Sequence, residues 1–193
     1  MMRRLYDWMM RAAADERAPH ALFWVSFIES SFFPIPPDVM LVPMVLANRL
    51  KAWAYATLAT IGSVVGGVFG YAIGYFFFEA IGLPILQLYG KAESFDTFRQ
   101  WFNEYGVWIL LIKGMTPFPY KVLTITAGVT AMPLIPFMLA SVGARAMRFF
   151  LVAALLYWFG EPIRDFIERR LSLVTTVFVV LLVGGFFAVK YLF

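Results

Sequence analysis

The chain has 193 residues, of which 62% are hydrophobic and 19% aromatic, and a formal net charge of +4; its mean hydropathy is +0.77. A soluble domain is usually near half apolar, so this composition indicates an integral membrane protein and excludes an ordinary water-soluble fold. With no cysteine there is no disulfide, thiol nucleophile or thiolate metal site, and a lone His20 reads as an interface residue, since zinc sites take three or four ligands.

Residues 1–19 mix Arg3, Arg4, Arg11 and Arg17 with Asp7, Asp15 and Glu16. Leu5, Trp8, Met9, Ala12 and Ala13 fall on one helical face, opposite Arg4, Asp7 and Arg11, which predicts an amphipathic helix lying at the membrane surface. The segment lacks a small-x-small cleavage site and is followed by an apolar run holding Glu29, so it does not read as a signal peptide.

Residues 23–46 are apolar but broken by Pro34, Pro36 and Pro37, and they carry Glu29 and Asp38. Each proline removes a backbone donor and disfavours helix at the preceding residue. Hydrocarbon cannot solvate the freed groups, so such a segment must lie inside protein or line a wet cavity. The spacing predicts a re-entrant hairpin.

Residues 52–78 carry no charge and predict a spanning helix. Gly62, Gly66, Gly70 and Gly74 recur every fourth residue, a stripe that lets another helix approach closely, within one protomer or between two copies of a homo-oligomer. Residues 79–106 are polar by comparison, but Phe95, Phe98, Trp101, Phe102 and Tyr105 share a face, predicting a short interfacial helix over 94–105.

Residues 107–131 repeat the broken pattern with Pro117 and Pro119, this time carrying Lys113 and Lys121, and predict a second re-entrant hairpin. Residues 133–159 predict a second spanning helix containing Arg145 and Arg148, which share a face. A charged turn or short helix follows over 161–170, and residues 171–193 predict a last spanning helix, uncharged until Lys190. The whole is thus an all-α membrane protein with two re-entrant broken-helix hairpins and three spanning helices.

If both hairpins are re-entrant, the N-terminus, the 48–51 turn and the 161–170 turn share one side, and that side collects Arg49, Lys51, Arg164, Arg169 and Arg170 besides the four N-terminal arginines. The 79–106 stretch on the other side holds only Lys91 and Arg99. The excess of positive charge places the N-terminus in the cytoplasm. A broken segment followed by a spanning helix occurs twice, in opposite senses, which is an inverted repeat of the kind that sets a transporter's binding site near the bilayer midplane.

Three motifs carry a family resemblance over residues 20–160. They are Glu29 with Pro34, Pro36, Pro37 and Asp38; Gly66, Gly70, Tyr71 and Gly74; and Tyr105-Gly106 followed after a six-residue gap by Lys113. In this order they resemble the DedA family of bacterial inner-membrane proteins, also called VTT or SNARE-associated, and in particular its short YqaA-like branch. Lys113 and Lys121 stand where the better-known branch has arginines, and the two side-chain types differ in how they hold phosphate. The resemblance implies two re-entrant hairpins among spanning helices, a place in the bacterial inner membrane, and transbilayer movement of lipid, with undecaprenyl phosphate recycling and proton-dependent envelope homeostasis as family roles.

The residues point to the same class of chemistry. Lys113, Lys121, Arg145 and Arg148 are the cations embedded in apolar sequence, against two carboxylates, Glu29 and Asp38. A bound phosphate head group would offset the surplus through charge-assisted hydrogen bonds. Its arrival would compete for the cations and favour proton uptake by Glu29 and Asp38, linking transport to protons. Ser30, Ser31, Thr116, Thr124 and Thr126 can brace the broken backbone or touch a head group. The competing readings are that Arg145 and Arg148 only staple the carboxylates, that the protein scrambles phospholipid, or that it is a proton-coupled transporter of a small ion or solute. Neither an enzyme nor a nucleic-acid binder is indicated: no metal cluster such as H-E-x-x-H is present, and the basic residues follow topology. No cofactor beyond the proton is expected.

Overall fold

A computed structural model describes residues 15–33, 36–82, 92–116 and 118–169, with Ala13, Pro84 and Gln87. Most of the expected surface helix over 1–19, the expected last spanning helix over 171–193, and Pro34 and Pro117 lie outside the described residues.

Every regular element among the described residues is helical. Helix α1 runs Ala18–Ser31, α2 Asp38–Ala47, α3 Ala52–Phe77, α4 Ala92–Met115, α5 Tyr120–Val129 and α6 Leu134–Arg169, with a 3₁₀ turn over Arg49–Lys51 and a π turn over Phe78–Gly82. Proline sets where the short helices begin. Pro37 caps α2 and Pro119, in extended backbone, caps α5. There the missing N–H falls where a helix has no internal acceptor to offer it. At the end of α1 the N–H groups of Phe32 and Phe33 both donate to the carbonyl of Ile28 at 3.0 Å, which closes the helix before the proline run.

The residues expected as a separate interfacial helix over 94–105 form one continuous helix, α4, with the first arm of the second broken segment. No proline interrupts 92–115, and a lone Gly106 costs too little to end a helix that packs along its length. The charged stretch over 161–169, expected as a turn or short helix, is helical and continues α6 to Arg169, with non-helical backbone at Phe159. Pro162, three residues on, cannot donate within the helix and accounts for that kink. By length and composition, Arg49–Gly82 and Leu134–Gly160 are long and apolar enough to cross a membrane.

The packing exchanges partners in pairs. Helix α3 lies against α1 and α5, whereas α6 lies against α4 and α2, and α3 and α6 pack against each other. Each long helix therefore holds the first arm of its own broken segment and the second arm of the other's. One apolar cluster joins Ala18 and Leu22 of α1 to Leu41 and Leu46 of α2, Ala56 of α3 and Phe149 of α6. A second joins Phe102 of α4 to Leu123 and Ala127 of α5 and Phe137 of α6.

The glycines of α3 make the close approach possible. A Cβ on Gly62 would lie 2.5 Å from the carbonyl oxygen of Phe23, and one on Gly66 would strike that of Phe27, both in α1. On Gly70 it would lie 2.5 Å from Thr124 Oγ1, and on Gly74 it would strike the carbonyl of Ile125, both in α5. The stripe thus serves two different helices of the same chain.

Candidate functional site

The two broken segments meet where their helices stop. The carbonyls left open at the end of α1 are taken up by side chains of α5: Thr124 Oγ1 donates to Ser30 O at 3.0 Å and Lys121 Nζ to Phe32 O at 3.4 Å. The carbonyl of Thr116, just past α4, accepts from Arg148 Nη1 at 3.0 Å. Backbone groups that proline and chain reversal deprive of helical partners are thus satisfied by the opposite half of the molecule.

Two ion pairs run from α6 to the first broken segment. Arg145 Nη2 donates to Glu29 Oε2 at 3.0 Å, and the side chains are 1% and 12% exposed. Arg148 Nη2 donates to Asp38 Oδ2 at 2.6 Å, with side chains 20% and 27% exposed. One turn of α6 therefore separates a sealed pair from a more open one. The Arg145 guanidinium carbon lies over the rings of Tyr120 and Phe149, 4.7 and 4.6 Å from their centroids. Cation–π contacts of this sort partly replace the lost hydration of a buried charge. The same Oε2 of Glu29 also accepts from Ser30 Oγ at 3.0 Å, and Ser30 Oγ shares a 2.6 Å hydrogen bond with Ser63 Oγ of α3.

Beside the outer pair lies a cleft of about 260 Å³ lined by Asp38, Met115, Met147, Arg148, Leu151 and Val152. It combines one charged couple with apolar walls, and Met147 and Leu151 are half exposed on the outer surface of α6.

Of the four cations embedded in apolar sequence, the structure fully buries Arg145 alone. Arg148 and Lys121 are partly covered, and Lys113 is exposed at the end of α4 with no ion pair among the described residues. The reason lies in the face it occupies: Leu110 and Gly114 are the buried positions of this part of α4, Gly114 lying close to Ala144 of α6, whereas Lys113 falls on the exposed side, where its stem can reach outward. Ser31, Thr116 and Thr124 serve the backbone, donating to Gly66 O, Lys113 O and Ser30 O. Sequence reasoning overlooked Ser63, Tyr120, Ser141 and Phe149. Ser63 was within reach of it, lying on the glycine face of α3 one residue from Gly62.

Known proteins place these features. The VTT domain family matches residues 33–158. The chain belongs to the VTT domain, or DedA, family of membrane proteins. It is 38% identical to an uncharacterized protein of Haemophilus influenzae over 96% of both chains, and 37% identical to another of Histophilus somni over 96% of this chain and 97% of that one. It is also 27% identical to undecaprenyl phosphate transporter A of Bacillus subtilis, over 63% of this chain and 67% of that protein. No solved structure matches.

Proposed function

We propose that this protein carries a phosphate-headed lipid, of the undecaprenyl phosphate kind, across the inner membrane, and that it does so by transport and not by enzymatic turnover. The observation that carries this reading is the Asp38–Arg148 pair set in an apolar-walled cleft. A lipid phosphate needs a cation for its head and a continuous apolar surface for its chain, and the cleft offers both within one side-chain length. The distant similarity to an undecaprenyl phosphate transporter supports the same substrate class.

In this reading Arg148 receives the head group, with Lys121 adding charge from α5. The phosphate displaces Asp38, and the freed carboxylate takes up a proton. Arg145 and Glu29 form the inner couple through which the same exchange proceeds deeper in the protein. The two broken segments act as re-entrant hairpins that keep the charged pairs and the broken backbone out of the hydrocarbon. That arrangement is supported by the joint cluster of Ala18 with Leu46, by the contact of Arg49 with Gly160, and by the hydrogen bond of Arg99 to Thr130 O, which bring together residues that re-entrant hairpins would set on the same side.

A binding experiment tests the reading. A polyprenyl phosphate should raise the thermal unfolding midpoint of the detergent-solubilised protein, and the uncharged polyprenol should not. Arg148→Ala should abolish the difference. Equal effects of the phosphate and the alcohol would contradict the proposal.

A further inference from the structure

Tyr120 OH, Ser141 Oγ, Arg145 Nε and Arg145 Nη1 are all buried without a hydrogen-bond partner among the described residues. Folded proteins leave few such groups, and each one weakens the native state. Here the four belong to three side chains packed together. The ring of Tyr120 covers one face of the Arg145 guanidinium. The Tyr120 and Ser141 hydroxyls are neighbours, short of hydrogen-bond geometry. Ser141 lies four residues before Arg145 on α6, hence on the same face. Glu29 takes Nη2 and the guanidinium lies over the rings of Tyr120 and Phe149, so Nε and Nη1 are the donors left for a ligand.

We propose that Tyr120, Ser141 and Arg145 form a second, inner anion station that accepts a phosphate oxygen after the head group leaves Arg148. Two hydroxyl donors and a guanidinium edge suit a tetrahedral oxyanion, which takes charge-assisted hydrogen bonds from several directions. The stations lie in line along α6. Arg148 to Arg145 is about 4.5 Å along the helix axis and Arg148 to Ser141 about 10 Å, at the standard rise per residue. The head group thus finds a new donor about every turn as it moves toward the start of α6. The buried unpaired donors are then the resting form of a site completed only in transit, and their cost to the fold is the expected signature of a functional position. This inference rests on the lipid-phosphate reading above.

The test uses Tyr120→Phe and Ser141→Ala, singly and together, which remove hydroxyls and little volume. The full-length protein is reconstituted in phosphatidylethanolamine–phosphatidylglycerol vesicles, and movement of a fluorescent polyprenyl phosphate is followed beside its thermal unfolding midpoint. The expected result is a rate reduced by about tenfold or more in the double variant, the scale of a lost hydrogen bond to a charged group, with an unfolding midpoint equal to or above the parent's. A midpoint that falls together with the rate would overturn the proposal, because the hydroxyls would then be serving the fold. An unchanged rate beside an inactive Arg148→Ala control would overturn it too while leaving the lipid reading intact. Full activity of Arg148→Ala would defeat both. Stabilisation by inorganic phosphate in the parent and not in the double variant would assign the station to free anion as well as to lipid; stabilisation by the polyprenyl phosphate alone, lost in the same variant, would assign it to the lipid head group.

Discussion

At the scale of single residues, the two arginines of α6 differ in what they lose on mutation. Arg145 is 1% exposed and its removal leaves Glu29, itself 12% exposed, without its counter-charge. Breaking a buried pair from one side costs about 3–5 kcal/mol, because the remaining charge is left uncompensated. Arg145→Ala is therefore predicted to lower unfolding stability by that amount. Arg145→Ala with Glu29→Gln should recover part of it, since no bare carboxylate remains. Arg148→Ala should cost less stability, as Asp38 is more than twice as exposed as Glu29, and should act mainly on transport. Denaturation of the purified variants in detergent checks all three; equal losses for Arg145→Ala and Arg148→Ala would refute the division into an inner and an outer pair. The carboxylates and arginines were legible in the sequence because charge in apolar sequence stands out. Their pairing was open, because it depends on how α2, α6 and the end of α1 pack. Tyr120 and Ser141 were silent for a similar reason: an aromatic or a serine in a hydrophobic helix acquires meaning only from what lies opposite.

At the scale of elements, α3 is held against α1 and α5 by close backbone approach, whereas α6 packs through large side chains such as Phe137 and Phe149. Gly66 and Gly74 of α3 sit where any Cβ would strike a backbone carbonyl of α1 or α5. Carbonyls cannot rotate away, so Gly66→Ala and Gly74→Ala are each predicted to cost about 1–3 kcal/mol, as overpacking does. Gly67→Ala should be milder, since its nearest neighbour is Thr124 Cγ2 at 3.3 Å, the end of a side chain. Folded yield and unfolding midpoints of the three alanine variants check this, and a Gly67→Ala more damaging than Gly66→Ala would contradict it. The periodic stripe was visible in the sequence, and so were the proline breaks that begin α2 and α5. The continuity of α4 was not. Its polar first half and apolar second half read as two elements, yet nothing in the backbone separates them, and packing on α6 carries the helix straight through Gly106.

At the scale of the whole molecule, the two halves satisfy each other. α5 supplies the donors that close α1, and α6 supplies the arginines that hold Glu29 and Asp38. A re-entrant arrangement sets a specific topology. His20 and Leu50 should face the same side of the membrane, and Asp96 the other. The chain has no cysteine of its own, so His20→Cys, Leu50→Cys and Asp96→Cys each give a single label site. With a membrane-impermeant maleimide, positions 20 and 50 should react from one side and position 96 from the opposite side. Labelling of 20 and 50 from opposite sides would mean that residues 23–46 span the bilayer fully.

The central claim is that the outer arginine pair handles a phosphate-headed lipid. It is tested most directly by reconstituting the protein in vesicles and following a fluorescent polyprenyl phosphate and a labelled phosphatidylcholine side by side, with and without a proton gradient, for the parent and Arg148→Ala. The account predicts movement of the polyprenyl phosphate alone, faster with the gradient and lost in Arg148→Ala. Equal movement of both lipids, or movement indifferent to Arg148, would contradict it.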